Sequence, residues 1–174
     1  DANQTVALVA AMADREGISY LRTTRGNTEV IYGPDDTFEV GGSKVVRESD
    51  ADQALIVGAG ITLHEALKAA DTLSGEGISV RVVDAYSVKP IDAEGLRAAA
   101  RASGNRVLTV EDHWPEGGLG DAVLEVFADT DEHTRITKLA VREMPGSGKP
   151  DELVAAAGID AEHIAEAVRK AVSA

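Results

Sequence analysis

Apolar and polar positions follow two alternating periods along most of the chain. Residues 54–57 are continuously apolar, which is typical of a strand covered on both faces. After a Gly-Ala-Gly turn at 58–60, the apolar positions from Leu63 to Leu73 recur every three or four residues, as on one face of a helix. The pattern predicts a buried strand, a tight turn and a helix, which together begin a parallel βαβ unit.

The start of this helix carries a predicted cap. Thr62 directly precedes the periodic positions, where N-cap residues are usual, and Glu65 follows three residues later. We expect the two side chains to form a capping box.

The alternation continues to the end of the chain. The predicted strands are 78–84, 106–111 and 136–141, and the predicted helices are 93–102, 121–128, 151–157 and 161–172. Strands alternating with helices of this length indicate a mostly parallel sheet with right-handed crossovers. The predicted fold class is therefore α/β, a three-layer sandwich with helices on both faces of the sheet.

The N-terminal part of the chain differs. Residues 6–13 predict a helix, with Asp1 or Asn3 as its cap, and residues 18–23 alternate like a strand. Because one helix and one strand cannot form a domain, we expect them to be the tail of a larger α/β unit that begins upstream.

A linker is predicted next. Residues 28–42 show few periodic signals and contain turn residues, and residues 43–48 form a short extended segment. The predicted division is a fragment of another domain with its linker at 1–42, and a main domain at 43–174.

Composition excludes several classes of partner. The 174 residues include 17 Lys and Arg and 30 Asp and Glu, for a net charge of −13. Such an acidic surface repels phosphate backbones, which argues against nucleic acid and anionic membranes as partners. The chain has no cysteine, hence no disulfide or thiolate metal site, and no apolar run long enough to span a bilayer. We expect a cytoplasmic protein.

The first turn invites a dinucleotide-binding interpretation. Gly58 and Gly60 follow a strand, and Asp84 ends the next predicted strand at about the spacing of a ribose-binding acid. The third glycine of that motif is replaced by Leu63, however. A tight strand-to-helix turn explains the same glycines and is favoured over bound NAD.

A second glycine-rich stretch, at 146–150, resembles the end of a phosphate-binding loop. Glu143 stands where the first glycine of such a loop belongs, and Pro150 replaces the metal-binding hydroxyl residue. We therefore reject a phosphate loop and expect Pro150 to open a helix.

A polar stretch at 111–120 follows a buried strand. Glu111, His113 and the glycines after them could perform acid/base work or bind an anion, or Glu111 or His113 could cap neighbouring backbone groups. Capping is favoured because no nucleophile stands near them. The other histidines show no spacing typical of metal ligands: His64, His133 and His163.

Two arginines end the predicted N-terminal strand. Arg22 and Arg25 form a basic pair in an acidic protein, and arginine binds phosphate through two parallel hydrogen bonds. Composition leaves an anion contact and a solvated loop equally open.

Four motifs, in their order and spacing, resemble the C-terminal domain of transketolase, a thiamine-diphosphate enzyme. They read GAGITLHEA at 58–66, VVDAYSVKPID at 82–92, VEDH at 110–113 with GGLG at 117–120, and SGKPDEL at 147–153. DANQT at 1–5 and RTTR at 22–25 resemble the end of the same family's pyrimidine-binding domain.

The resemblance implies the transfer of a two-carbon ketol unit between sugar phosphates, in the pentose phosphate pathway, by a homodimer that needs thiamine diphosphate and a divalent cation, Mg or Ca. The family's cofactor-activating glutamate, pyrimidine-binding aromatic residues and Gly-Asp-Gly metal motif match nothing in this chain. We therefore expect no catalytic, cofactor-binding or metal-binding residue here. The chain alone should be inactive and should need the rest of the enzyme or an N-terminal subunit.

One site residue follows from the resemblance. The family's strand ending in Ser-Arg or Thr-Arg supplies an arginine that grips the substrate phosphate, and Arg25 matches it. Arg22 is expected to be structural. The residue after this arginine varies in the family, and here it is Gly26, which does not define the path of the backbone.

Other interpretations stay open at this point. The chain could be the tail of a deoxyxylulose-phosphate synthase or of a 2-oxo-acid dehydrogenase β subunit, although the HEA of 64–66 and the EDH of 111–113 favour transketolase. It could also be a natural subunit of a split transketolase, or a stand-alone nucleotide-binding regulatory module built on the turn at Gly58.

Overall fold

A computed structural model of the chain describes residues 1–131 and 133–174. Its strands are β1 Lys44–Arg47, β2 Ala54–Gly58, β3 Val80–Asp84, β4 Arg106–Glu111 and β5 Arg135–Ala140. Its helices are α1 Ala2–Ala13, α2 Ile61–Gly75, α3 Ala93–Arg101, α4 Leu119–Ala128, α5 Pro150–Ala156 and α6 Ala161–Val172. From residue 54 onward the predicted elements are confirmed, with ends that shift by about two residues.

The five strands form one sheet in the order β1-β3-β2-β4-β5. β2 pairs in parallel with both β3 and β4, and β4 pairs in parallel with β5. Only the edge strand β1 is antiparallel, against β3. The mostly parallel sheet is therefore confirmed, with its helices supplying the crossovers.

Helices cover both faces of the sheet. On β2 the side chain of Ile56 joins a core with Leu73 of α2 and Ile164 of α6. Leu55, one position earlier, joins a separate core with Leu96 of α3 and Val123 of α4. Successive side chains of a strand point to opposite faces, so one apolar run on β2 supports both cores. The predicted three-layer sandwich is confirmed.

The predicted strand at 18–23 is wrong. The described part of the chain contains no strand that pairs with this segment, and Tyr20 is 85% exposed. A strand exists only where a neighbour completes its hydrogen bonds, so an alternating pattern without such a neighbour leaves irregular backbone.

The predicted capping box on α2 is also wrong. Gly60, not Thr62, is the N-cap, with a φ of +58°. The Thr62 hydroxyl is buried and lies 2.8 Å from the carbonyl oxygen of Val110, to which it donates. Glu65 instead accepts from the backbone N–H of Ala161, at 3.0 Å. Both side chains bind groups distant in sequence, which propensity at a helix start does not anticipate.

The linker has no helix or strand, as predicted, but it is packed against the domain. Tyr32 and Phe38 are buried, at 7% and 6% exposure. Their rings meet edge to face at 4.9 Å between centroids, and Phe38 meets Tyr86 in the same manner at 5.3 Å. Edge-to-face pairs add to the free energy that ring burial supplies. The aromatic residues therefore fasten the N-terminal part of the chain to the sheet domain.

A buried carboxylate completes this attachment. Asp84, at the end of β3, is fully buried and accepts hydrogen bonds from Gln4 Nε2 at 2.6 Å and from the Tyr32 hydroxyl at 2.8 Å. Asp1, one of the two predicted caps of α1, is the N-cap and accepts from the Gln4 backbone at 2.8 Å and from the backbone of Ile31 and Tyr32. Burial raises the pKa of Asp84, while the bonds from Gln4 and Tyr32 oppose that rise.

The Tyr32 hydroxyl should contribute measurably to stability. Tyr32→Phe keeps the buried ring but removes a donor to a carboxylate, so we expect the free energy of unfolding to fall by about 1–3 kcal/mol. Urea denaturation of this chain measures the change. Tyr20→Phe is the matched control, because the Tyr20 ring is exposed, and should change the midpoint little. Equal midpoints for Tyr32→Phe and the wild type would contradict a stabilising bond.

Asp84 should also make stability depend on pH. Its pKa is raised in the folded state, so the folded protein binds the proton more tightly than the unfolded chain. The stability that Asp84 contributes therefore falls as the pH rises from the ordinary aspartate range, about 3.9, through the raised pKa. Asp84→Asn cannot titrate, and its stability relative to the wild type should rise with pH. Urea midpoints from about pH 4 to pH 8 test this; a constant difference would contradict it.

Candidate functional site

The carboxyl ends of the parallel strands meet at one edge of the sheet. In the order of the sheet they are Asp84, Gly58, Glu111 and Ala140. Open α/β sheets usually bind their ligands at this carboxyl edge. Here the N-terminal segment of the same chain lies along it.

Contacts join this segment to three neighbouring strands. Gln4 binds Asp84 at the end of β3. Thr24 lies beside the turn that follows β2, since a Cβ added to Gly60 would be 3.8 Å from the Thr24 methyl carbon. The third contact is made by Arg22, just beyond β4. The segment therefore covers the part of the edge where a nucleotide would otherwise bind.

The structure favours the tight-turn interpretation of the first glycines. Asp84 already binds Gln4 and Tyr32 and is closed off from a ribose. A Cβ on Gly58 would lie 3.1 Å from the backbone nitrogen of Leu63, so the turn itself needs a small residue there. Gly60 adopts a positive φ that side chains other than glycine disfavour.

Arg22 is held by Asp112. Its Nη1 donates to Asp112 Oδ1 at 2.9 Å, and its Nη2 donates to Oδ2 at 2.8 Å and to the backbone carbonyl at 3.2 Å. The hydrogen bond to Asp112 raises the pKa of the Arg22 guanidinium. This internal pair agrees with the structural role expected of Arg22.

The environment of Arg25 differs from that of Arg22. Its side chain is exposed and makes no hydrogen bond or ion pair with any described residue. It follows Thr24, whose methyl carbon lies beside the turn at Gly60. A guanidinium that has kept all its donors available, at the carboxyl edge of a sheet, can bind an anion.

Glu111 caps the helix that follows it. Glu111 is 3% exposed, and its Oε2 accepts from the Gly120 backbone in the first turn of α4 at 3.1 Å. Burial raises the pKa of Glu111, and the Gly120 bond opposes this. A Cβ on Gly120 would be 2.6 Å from Glu111 Oε1, so the close approach of the carboxylate requires the glycine. These contacts match the capping interpretation.

The charged groups around Glu111 are paired with one another. Lys138 Nζ donates to Asp121 Oδ1 at 2.5 Å and to the carbonyl of Pro115, and Asp121 Oδ2 accepts from the Gly117 backbone at 2.7 Å. His113 is exposed, with its Nδ1 2.8 Å from the backbone oxygen of Trp114. The structure thus brings the predicted polar stretch together around Glu111 and the start of α4.

The remaining histidines are dispersed. His64 is half-buried on α2, where burial lowers its pKa, and His163 pairs with Asp160 at 2.5 Å. Residues 1–131 and 133–174 hold no group of three or more His, Cys, Asp or Glu side chains able to bind a metal ion. None of the helices in those ranges is long and apolar enough to cross a bilayer.

The glycine-rich stretch at 146–150 leads into a helix, as predicted. Pro150 is the first residue of α5, and the Glu152 carboxylate accepts from the Lys149 backbone at 2.9 Å. A carboxylate thus takes the backbone donor that a phosphate would need, which agrees with rejecting a phosphate loop.

Sequence reasoning missed the residues that hold the N-terminal segment in place. Gln4, Tyr32 and Asp112 belong to no periodic pattern, and each binds a residue dozens of positions away. The sequence offers one weak signal, and it concerns Asp112: an acid that directly follows a buried strand, in a chain with few basic residues to pair with it.

Comparison with known proteins identifies the family. The family model described as transketolase, C-terminal domain, matches residues 43–164. Transketolase-like protein 1 of Bos taurus is 46% identical over 170 residues, which cover 98% of this chain and 28% of that protein. Human transketolase is 45% identical over 169 residues, which cover 97% of this chain and 27% of that protein. The chain spans little more than a quarter of the length of these relatives.

Solved structures show the same fold. A split-gene transketolase, described as an inactive β4 tetramer, has a TM-score of 0.92 and 40% identity, covering 99% of this chain and 56% of that chain. A Pichia stipitis transketolase in complex with sedoheptulose 7-phosphate has a TM-score of 0.58 and 20% identity to this chain. The match covers 76% of this chain and 18% of that one, and it shows a likeness in fold alone. The sequence and the fold together show that the chain belongs to the transketolase family, whose C-terminal domain it contains.

Proposed function

We propose that this chain is the C-terminal portion of a transketolase that, when complete, transfers a two-carbon ketol unit between sugar phosphates in the cytoplasm. Residues 1–42 are the end of the pyrimidine-binding domain with its linker, and residues 43–174 are the C-terminal domain. Support comes from the 43–46% identity to proteins named transketolase or transketolase-like, over nearly the whole chain.

The chain's own contribution to substrate binding is Arg25. The observation that carries this assignment is the contrast between two neighbouring arginines: Arg22 is held by Asp112, whereas Arg25 is exposed and keeps its donors available among the described residues. In a chain with a net charge of −13, a sugar phosphate needs such a local basic group. Arg25 binds the phosphate end of the substrate.

The rest of the enzyme packs on the N-terminal helix. Val6 and Val9 of α1 are 71% and 51% exposed, although the helix is apolar along most of its length. Exposed apolar surface of this kind marks an interaction site. The partner is the remaining transketolase sequence, in the same polypeptide or as an N-terminal subunit, and the complete enzyme is a homodimer. The likeness to a split-gene transketolase supports the arrangement with a separate N-terminal subunit.

Thiamine diphosphate and a divalent cation, Mg or Ca, are assigned to the parts of the complete enzyme outside this chain. By the family resemblance, the residues that activate and hold them match no position here. Thiamine diphosphate, when bound, supplies the nucleophilic carbon for ketol transfer. This chain's residues hold the substrate phosphate and support the assembly, and the chain by itself is inactive.

The alternative functions are less well supported. The relatives reported above are named transketolase or transketolase-like, not deoxyxylulose-phosphate synthase or 2-oxo-acid dehydrogenase. A stand-alone nucleotide-binding module would need Asp84, which is buried under Gln4 and Tyr32.

Replacing Arg25 tests the assignment. In the complete enzyme, Arg25→Ala should raise KM for phosphorylated sugars about ten- to a hundredfold, because a hydrogen bond to a charged group contributes about 1.5–3 kcal/mol. KM for unphosphorylated sugars should change little. Steady-state kinetics with both substrate types measure the difference.

A matched arginine provides the control. Arg135 is also exposed, but it is the first residue of β5. It therefore lies at the amino ends of the parallel strands, opposite the carboxyl ends where Arg25 lies. Arg135→Ala should leave both KM values unchanged. Equal effects of Arg25→Ala on phosphorylated and unphosphorylated sugars would show that Arg25 does not bind the phosphate.

Nucleotide binding can be tested directly on this chain. Isothermal titration calorimetry with NAD, NADP and ATP should give no saturable heat, because the N-terminal segment occupies the carboxyl edge. Tight, saturable binding of any of the three would restore the nucleotide-binding alternative.

A further inference from the structure

The segment that carries Arg25 has few attachments. Residues 16–30 contain no helix or strand. Among the described residues, the only hydrogen bonds that join this stretch to another part of the chain run from Arg22 to Asp112, at 2.8, 2.9 and 3.2 Å. The ion pair is therefore the one hydrogen-bonded attachment of this stretch among the described residues, and Thr24 packs beside Gly60.

Asp112 is mounted on rigid backbone. It directly follows β4, where Glu111 is in register with Ala140 of β5. On its other side, the carbonyl of His113 accepts from the backbone N–H of Val141 at 2.9 Å. Backbone pairing on both sides fixes where the Asp112 carboxylate lies, so Asp112 can serve as a fixed point for a less constrained segment.

The pair constrains Arg25 through the short distance along the chain. Arg25 follows Arg22 by three residues, so their Cα atoms are at most about 11 Å apart even in a fully extended chain. The two parallel hydrogen bonds of Arg22 define an orientation as well as a position. Holding the backbone in this way reduces the freedom that Arg25 would lose on binding a phosphate.

We propose that Asp112 is a positioning residue for substrate binding: by holding Arg22 it places Arg25 for the phosphate of a sugar substrate. The inference rests on the proposed role of Arg25 as the phosphate ligand. Asp112 itself touches no substrate. Its effect is confined to substrates that carry a phosphate.

The ion pair suits this role because it can be removed without unfolding the protein. The side chains of Arg22 and Asp112 are 53% and 30% exposed, and such pairs add little to stability. Loss of the pair should therefore appear in substrate affinity and not in the amount of folded enzyme.

The test is kinetic and uses the complete transketolase that contains this chain. Asp112→Asn should raise KM for phosphorylated sugars about three- to tenfold, with kcat within about twofold of wild type. KM for unphosphorylated sugars should stay unchanged. Arg22→Ala should behave in the same way, and exchanging the two charges, Arg22→Asp with Asp112→Arg, should restore part of the lost affinity.

A second ion pair of the same geometry is the matched control. Arg169 on α6 donates two hydrogen bonds to Glu76, at 2.8 and 2.7 Å, and both side chains are 40% exposed. Glu76 follows α2 at the opposite end from Gly60. Glu76→Gln therefore removes an equivalent pair away from Arg25 and should leave both KM values as in the wild type.

Combining variants separates this inference from the proposed function. If Arg25→Ala raises KM for phosphorylated sugars and Asp112→Asn then adds no further increase, the two residues act on one contact, as proposed. If Arg25→Ala has the effect but Asp112→Asn has none, or if their effects multiply, Asp112 does not position Arg25 and the function of Arg25 stands. If Arg25→Ala has no phosphate-specific effect, the proposed function of Arg25 fails, and the role of Asp112 with it.

Discussion

A buried carboxylate anchors the N-terminal part of this chain to the sheet domain. Asp84 ends a central strand with no exposure to solvent, and its hydrogen bonds come from Gln4 and Tyr32, both in the N-terminal 42 residues. A charge buried without partners costs several kcal/mol. The sheet domain therefore depends on the N-terminal segment for the hydrogen bonds to Asp84 Oδ2. The segment in turn depends on the domain, because one helix with irregular backbone has no core of its own.

The N-terminal segment occupies the edge of the sheet where the parallel strands have their carboxyl ends. In many open α/β proteins the edge receives a ligand. Here Gln4, Thr24 and Arg22 lie along it, so the edge binds part of its own chain. The arrangement gives an irregular segment a defined place on a rigid surface, and it leaves Arg25 exposed at that place.

Arg22 and Arg25 illustrate how environment separates chemically identical groups. Both carry the same guanidinium, three positions apart, on a chain that is strongly acidic. One meets Asp112, whose backbone is fixed by the sheet, and both of its Nη atoms donate to that residue. The other meets no partner among the described residues and retains its capacity to bind an anion. Under the proposed function, this contrast assigns the substrate contact to Arg25 and the structural contact to Arg22.

Much of the fold could be predicted from sequence period alone. The continuous apolar run of β2, the helical spacing of α2, the cap at Asp1 and the start of α5 at Pro150 are local features, and the structure contains all four. Local patterns are reliable because backbone geometry imposes the periods of strands and helices directly. The family resemblance, based on motif order and spacing, likewise needed no coordinates.

The tertiary structure decided the rest. The segment at 18–23 has irregular backbone, because no neighbouring strand pairs with it. Thr62 and Glu65 form no capping box, because they bind the backbone of Val110 and Ala161 instead. The tertiary structure also brought Gln4, Tyr32 and Asp112 to their partners, across 52 to 90 positions of the chain. The sequence by itself determined the elements from residue 54 onward and their order, whereas the site was decided by contacts between residues that only folding brings together.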